Sequence, residues 1–283
     1  MSKNEWSLNL HTNPGIIGWD LGFHVQFING DPDGITYIPV FESPHVNVLN
    51  RHESTRAYAR LTTLLRLVNG LRLVLDNDMI VAATTLYFDN GFNIRGESYS
   101  EDLNIILEEL SYPFDEGVLS RLEKRDKNSE PGRYKDYLQL IIDEPIVREV
   151  IILLTLAEEQ IIYLLVNTYK IFENILSDLG LGTSKLNTNK KGLPEDLFNS
   201  LKELNEFTQY INSRDGSGIL CRHGATKKPA PAKIPTREEI RTALTSTIDE
   251  WLIYKCTMTF GRTYRRRTTS QTEKNTLRIF DSF

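Results

Sequence analysis

Residues 147–176 are the most apolar stretch of the chain, interrupted by Glu149, Glu158, Glu159 and Lys170. A bilayer span needs roughly 20 mainly apolar residues, and these charges break the run. The stretch is therefore read as a helix buried among other helices. Pro145 can open it, because the first helical turn has no use for the missing N–H. Residues 146–165 are apolar almost all round, which puts this helix at the centre of a bundle. It is expected to continue to about Leu179, where Gly180 and Gly182 stop it.

Helices are expected on both sides. Residues 134–143 form a short one. Pro194 opens another, with Leu197, Leu201, Leu204 and Phe207 at helical spacing. Gly216 and Gly218 interrupt the chain, and residues 227–235 (KKPAPAKIP) are proline-rich. Thr236 with Glu239 matches a capping box. The helix behind it carries Ile240, Leu244, Ile248, Trp251 and Leu252. After Gly261 the chain turns basic and polar.

The first half reads differently. Trp19, Leu21, Phe23, Val25 and Phe27 alternate with polar or small residues, the period of a half-buried strand. Residues 29–34 (NGDPDG) are dense in turn formers, so residues 35–41 are expected to return antiparallel, with Pro39 at an edge or bulge. A helix capped at Ser54 carries Leu61, Leu64, Leu65, Val68, Leu71 and Leu75. Its Arg56, Arg60, Arg66 and Arg72 lie mostly off that stripe and are expected to be solvated. Residues 79–88 are a third strand candidate. Residues 97–115 hold a short acidic helix, and 124–133 a polar linker. The predicted architecture is an α+β domain over residues 1–125, an all-α helical bundle over 134–257, and a basic C-terminal tail over 258–283.

The 283 residues are 40% hydrophobic and 25% charged, enough to bury a core without staples. A net charge of −5 argues against wholesale coating of nucleic acid, not against a local basic site. Cys221 and Cys256 make neither a disulfide framework nor a zinc site, so a reducing, cytoplasmic setting is expected. No signal peptide is read in residues 1–13, and no membrane contact is expected. Phosphate-loop, dinucleotide, His-Glu-x-x-His and nucleophile-elbow motifs are absent from the sequence. His45 and His52 lack suitably spaced carboxylates, so no metal or other cofactor is expected.

One constellation carries chemistry. Residues 167–173 (NTYKIFE) put Tyr169 and Glu173 on the long helix. Residues 205–224 (NEFTQYINSRDGSGILCRHG) gather Arg214, Arg222 and His223 near a helix end. Tyr-Lys-x-Phe-Glu, a later Arg-His-Gly and a closing capped helix with Trp251 together resemble HEPN-like helical bundles. The resemblance spans about residues 134–257. It implies a homodimer, often a metal-independent endoribonuclease of toxin or antiviral defence systems. It makes His223, Arg222 and Arg214 the candidate catalytic residues and Glu173 and Tyr169 their support. The histidine would move protons at the 2′-hydroxyl and the leaving oxygen. Arginine would hold charge developing on the phosphate.

The family signature separates its arginine and histidine by four to six residues, whereas eight lie between Arg214 and His223. On a straight helix those side chains face opposite ways, so only a break at residues 216–218 brings them together. Arg222 is the easier partner. For His223 the alternative role is a helix-end hydrogen bond, with Arg222 on a nearby carboxylate. In the tail, Tyr264, Arg265, Arg266 and Arg267 could grip phosphate and stack on bases, or form a solvated terminus. Two functions follow: an RNA- or nucleotide-interacting protein, with RNA cleavage as its active form, or a non-catalytic dimerising scaffold with a protein partner on the N-terminal domain.

Overall fold

The computed structural model of the chain describes residues 5–11, 23–28, 39–76, 80–91, 93–126, 130–182, 186, 192–222, 229 and 234–266. The N-terminal part holds a small antiparallel sheet, and the remainder is mostly helical. Contacts divide the chain into two units, Met1–Gly70 with Ile80–Ile152, and Leu71–Met79 with Leu153–Phe283.

In the first unit the sheet order is β2-β3-β1-β4-β5. The strands are β1 (Glu5–Leu10), β2 (Gln26–Ile28), β3 (Val40–Glu42), β4 (Ala83–Asp89) and β5 (Ile94–Gly96). The central strand β1 was not anticipated in the sequence. It alternates strictly, with Trp6, Leu8 and Leu10 buried and Glu5, Ser7 and Asn9 half-buried. Three apolar residues at period 2 are a short signal, and β1 becomes a strand by pairing with β3 and β4 on its two sides. Trp6 anchors it: its indole N–H donates to the Leu49 carbonyl at 3.1 Å, and its ring lies 4.6 Å from that of Phe88. The return strand does run antiparallel, with Gln26 opposite Glu42 and Ile28 opposite Val40. Pro39 precedes β3, where it needs no ladder donor, and its carbonyl accepts from Leu10 N–H. Residues 19–22 and 29–38 of the expected strands lie outside the described residues.

Helix α1 (Ser54–Asp76) buries Ala57, Leu61, Leu64, Leu65 and Val68. The side chain of Asn69 closes two hydrogen bonds with the Val81 backbone, both 2.9 Å, at the entry to β4. The expected acidic helix is shorter than its segment. It is α2 (Leu103–Ser111), where Asp102 accepts from Asn104 and Ile105 N–H. The expected linker is partly helical, since α3 (Glu116–Asp126) runs into it and α4 (Arg133–Asp143) begins at its end. Helix α5 (Pro145–Glu159) follows at once. Its Arg148 is buried and reaches the carbonyls of Ser111, Ile141 and Ile142, tying the C-terminal ends of α2 and α4 to one cation.

The arginines of α1 correct an expectation. Arg72 is only 4% exposed. Arg60 grips Glu109 with two donors, at 2.6 and 2.9 Å, and Arg56 adds a third at 2.8 Å. Glu109 is buried, and its partners sit on a helix about fifty residues earlier, so helical periodicity alone could not pair them.

In the second unit the expected single long helix is two. Helix α5 ends at Glu159, Gln160 is extended, Ile161–Tyr163 form one 3₁₀ turn, and α6 (Leu164–Asp178) continues. On one straight helix residues 153 and 167 would stand roughly 21 Å apart. Instead Asn167 donates to the Leu153 carbonyl at 3.2 Å, so the chain reverses between them. The reversal leaves Ile161, Ile162 and Tyr163 about half exposed. Just before the break, Glu158 is paired with Arg237 and Arg241.

Helices α7 (Glu195–Ile211), the four-residue α8 (Arg214–Ser217) and α9 (Arg237–Phe260) complete this unit. The Thr236–Glu239 capping box opens α9 and left-handed Gly261 closes it. Trp251 donates to the Asp178 carboxylate at 2.9 Å, and Lys255 binds the same group at 3.0 Å. Ala157, Leu164, Leu165, Ile211 and Ile240 form a buried cluster, with Tyr169, Phe207, Tyr210 and Leu220 packed against it.

Candidate functional site

Tyr169 and Glu173 are four residues apart on α6, hence on one face. Arg222 reaches that face from the segment after α7. Its backbone N–H donates to the carbonyl of Ile211, the last residue of α7, at 3.1 Å. Its guanidinium lies over the Tyr169 ring, 3.6 Å from the centroid, and donates to Glu173 Oε2 at 3.3 Å. A stacked, ion-paired guanidinium is held in one plane. Its side chain remains 29% exposed.

The anticipated interruption at residues 216–218 is present. Ser213 caps Gly216 N–H, and Gly218 takes φ 60°, ψ −131°, a conformation reserved for glycine. Arg214 opens α8 and is exposed. Its carbonyl accepts from Gly218 N–H. The structure thus brings together Arg222, Tyr169 and Glu173 and leaves Arg214 apart from their contacts. His223 lies outside the described residues.

The tail residues are only partly covered. Arg262 lies over the Phe260 ring at 4.9 Å. Arg266 donates to the hydroxyl of Ser246, so the chain past Gly261 folds back along α9. Tyr264 is half-buried, Arg265 is exposed, and Arg267 lies outside the described residues.

Two features escaped the sequence reading. The first is a groove of about 850 Å³ between α7 and α9, with Phe207 and Tyr210 beside Glu203, Glu206, Glu238 and Glu239. Its carboxylates disfavour a phosphate ligand there. The only signal for it was the acidic spacing of two separate helices. The second is a histidine pair in the first unit. His24 Nδ1 and His45 Nε2 are 3.0 Å apart, with the rings stacked. His45 is fully buried, whereas His52, its neighbour in sequence, is exposed. Among the described residues no three His, Cys, Asp or Glu side chains are grouped to hold a metal ion. Among the same residues no helix is long and apolar enough to cross a membrane.

No protein-family model, no curated protein and no solved structure matches the chain.

Proposed function

We propose that the helical part of this chain is a HEPN-like module that contacts RNA or a nucleotide through Arg222, with Tyr169 and Glu173 holding that arginine in place. The observation that carries this reading is the Arg222 geometry: one guanidinium fixed between a ring and a carboxylate, on a side chain that is still 29% exposed. A pre-set arginine binds phosphate at lower entropic cost than a free one. Arg214 and the basic residues Arg265, Arg266 and Arg267, with Tyr264, would extend the contact along the backbone of the nucleic acid. In the catalytic form His223 would transfer the protons and Arg222 would hold the phosphate charge, without a metal.

The test is RNA binding by fluorescence anisotropy in EDTA, over a salt series. Arg222→Ala is expected to weaken binding about tenfold, the effect of one lost charge-assisted hydrogen bond. Equal binding by wild type and Arg222→Ala would overturn the reading. In the same EDTA buffer, wild type is expected to leave 2′,3′-cyclic phosphate ends on RNA, and His223→Ala is not. Binding without cleavage would leave a non-catalytic RNA-contacting module.

A second reading, a dimerising scaffold with an N-terminal protein partner, is favoured by the exposed Ile161, Ile162 and Tyr163 at the reversal between α5 and α6. Such a cluster suits a contact with another chain. If it is the dimer contact, Ile161→Asp is expected to turn a dimer into a monomer in sedimentation velocity. A dimer that survives the substitution assigns the contact elsewhere.

A further inference from the structure

The histidine pair has a proton arrangement that its neighbours determine. The Asp115 backbone N–H donates to His45 Nδ1 at 3.0 Å. An amide can only donate, so His45 carries no proton on Nδ1. Neutral His45 therefore bears its proton on Nε2, which donates to His24 Nδ1. His24 must accept there. A His24 ring with both nitrogens protonated would point an N–H at an N–H across 3.0 Å.

Arg60 Nη1 donates to the His45 carbonyl, and Arg121 on α3 adds a second positive field. Of the carboxylates on neighbouring elements, Glu109 is bound by Arg56 and Arg60, and Asp115 Oδ1 accepts from Val118 N–H. Phe114 presents its ring edge-on to both imidazoles. From β3's end, Ser43 accepts from His45 N–H and donates to the His24 carbonyl at 2.7 Å. His24 is thus tied to residues 43–45 by both its backbone and its ring. Two residues later begins β2, three residues long, at the edge of the sheet and paired there to β3.

We propose that the His24–His45 pair is an acid-sensitive latch that holds the edge strand β2 on the sheet and releases it when His24 takes a second ring proton. His24 is the member that moves, because it is partly exposed while His45 is fully buried. Its release uncovers the hydrogen-bonding edge of β3, a surface on which another strand can add. The latch belongs to the first unit and is independent of the RNA reading.

The test is amide hydrogen exchange of residues 26–28 at pH 7.5 and pH 5.5, corrected for intrinsic exchange rates, in the full chain. In wild type the opening is expected to rise about tenfold at the lower pH. In His24→Gln, whose side-chain oxygen can accept from His45 without titrating, the rise is expected to vanish. The same rise in His24→Gln, or none in wild type, overturns the latch. If His24→Gln does not fold, ¹⁵N imidazole spectra of wild type decide. They are expected to show His45 protonated on Nε2 and His24 bare on Nδ1 at pH 7.5, with that bond lost at pH 5.5. A doubly protonated His24 still bonded to His45 sinks the proposal.

Discussion

Between pH 7.5 and pH 5.5 the unfolding free energy is expected to fall by roughly 1 kcal/mol on account of His45 alone. Burial, then the neighbouring His24 and Arg60, push the His45 pKa down from 6.5 to about 3. In the unfolded chain the ring takes its proton near the ordinary value. The unfolded state therefore binds more protons than the folded one between about pH 6.5 and pH 3, and stability falls as pH falls through that window. Followed to the bottom of the window, the loss reaches roughly 4 to 5 kcal/mol. Urea unfolding of wild type and His45→Gln at several pH values isolates it. Glutamine can accept from Asp115 N–H and donate to His24, so it keeps both bonds and removes the titration. The wild-type curve is expected to drop below that of His45→Gln as pH falls; parallel curves would show that His45 is accessible to protons in the fold.

Glu109→Ala is expected to cost about 3 to 5 kcal/mol, the penalty for breaking a buried ion pair from one side. Glu109 is 1% exposed and Arg60 11%, so neither charge is hydrated. Removing the carboxylate leaves the Arg60 guanidinium enclosed, with the His45 carbonyl as an acceptor for Nη1. Arg56 is more exposed and keeps Glu108, 2.7 Å away, so it loses less. The double variant Arg60→Met, Glu109→Met is expected to be more stable than Glu109→Ala, because no unpaired charge is left inside. Thermal or urea unfolding of the variants checks the order. A double variant as unstable as the single one would mean that the pair also sets backbone geometry, through the Arg60 contact to His45.

The helical elements with marked ends were readable from the chain. Pro145, Pro194, the Thr236–Glu239 box and Gly261 each act within one turn, so their effect travels with the local sequence. That Arg222 would sit on a nearby carboxylate was readable from the chain; that the carboxylate is Glu173 is seen in the fold. What local pattern could not supply was the reversal at Gln160. An apolar run reads the same whether it continues or folds back, and here Glu158 is engaged by Arg237 and Arg241, some eighty residues on. The same limit hid β1, whose three apolar residues become a strand because β3 and β4 satisfy its backbone on both sides.

By itself the sequence determined the small-sheet-plus-helix composition of the fold, the Thr236 cap, the Gly180 stop and the residues from which a phosphate-contacting site can be drawn; Ser54, expected as a cap, instead lies inside a helical run opened by the Asn50 capping box. Tertiary structure alone decided which charges are inside. Glu109 is buried because two arginines converge on it, and His45 is neutral because burial, a second histidine and Arg60 disfavour its charge. Electrostatic and hydrogen-bond energies depend on distances between residues far apart in the chain, and those distances exist only once the fold has formed.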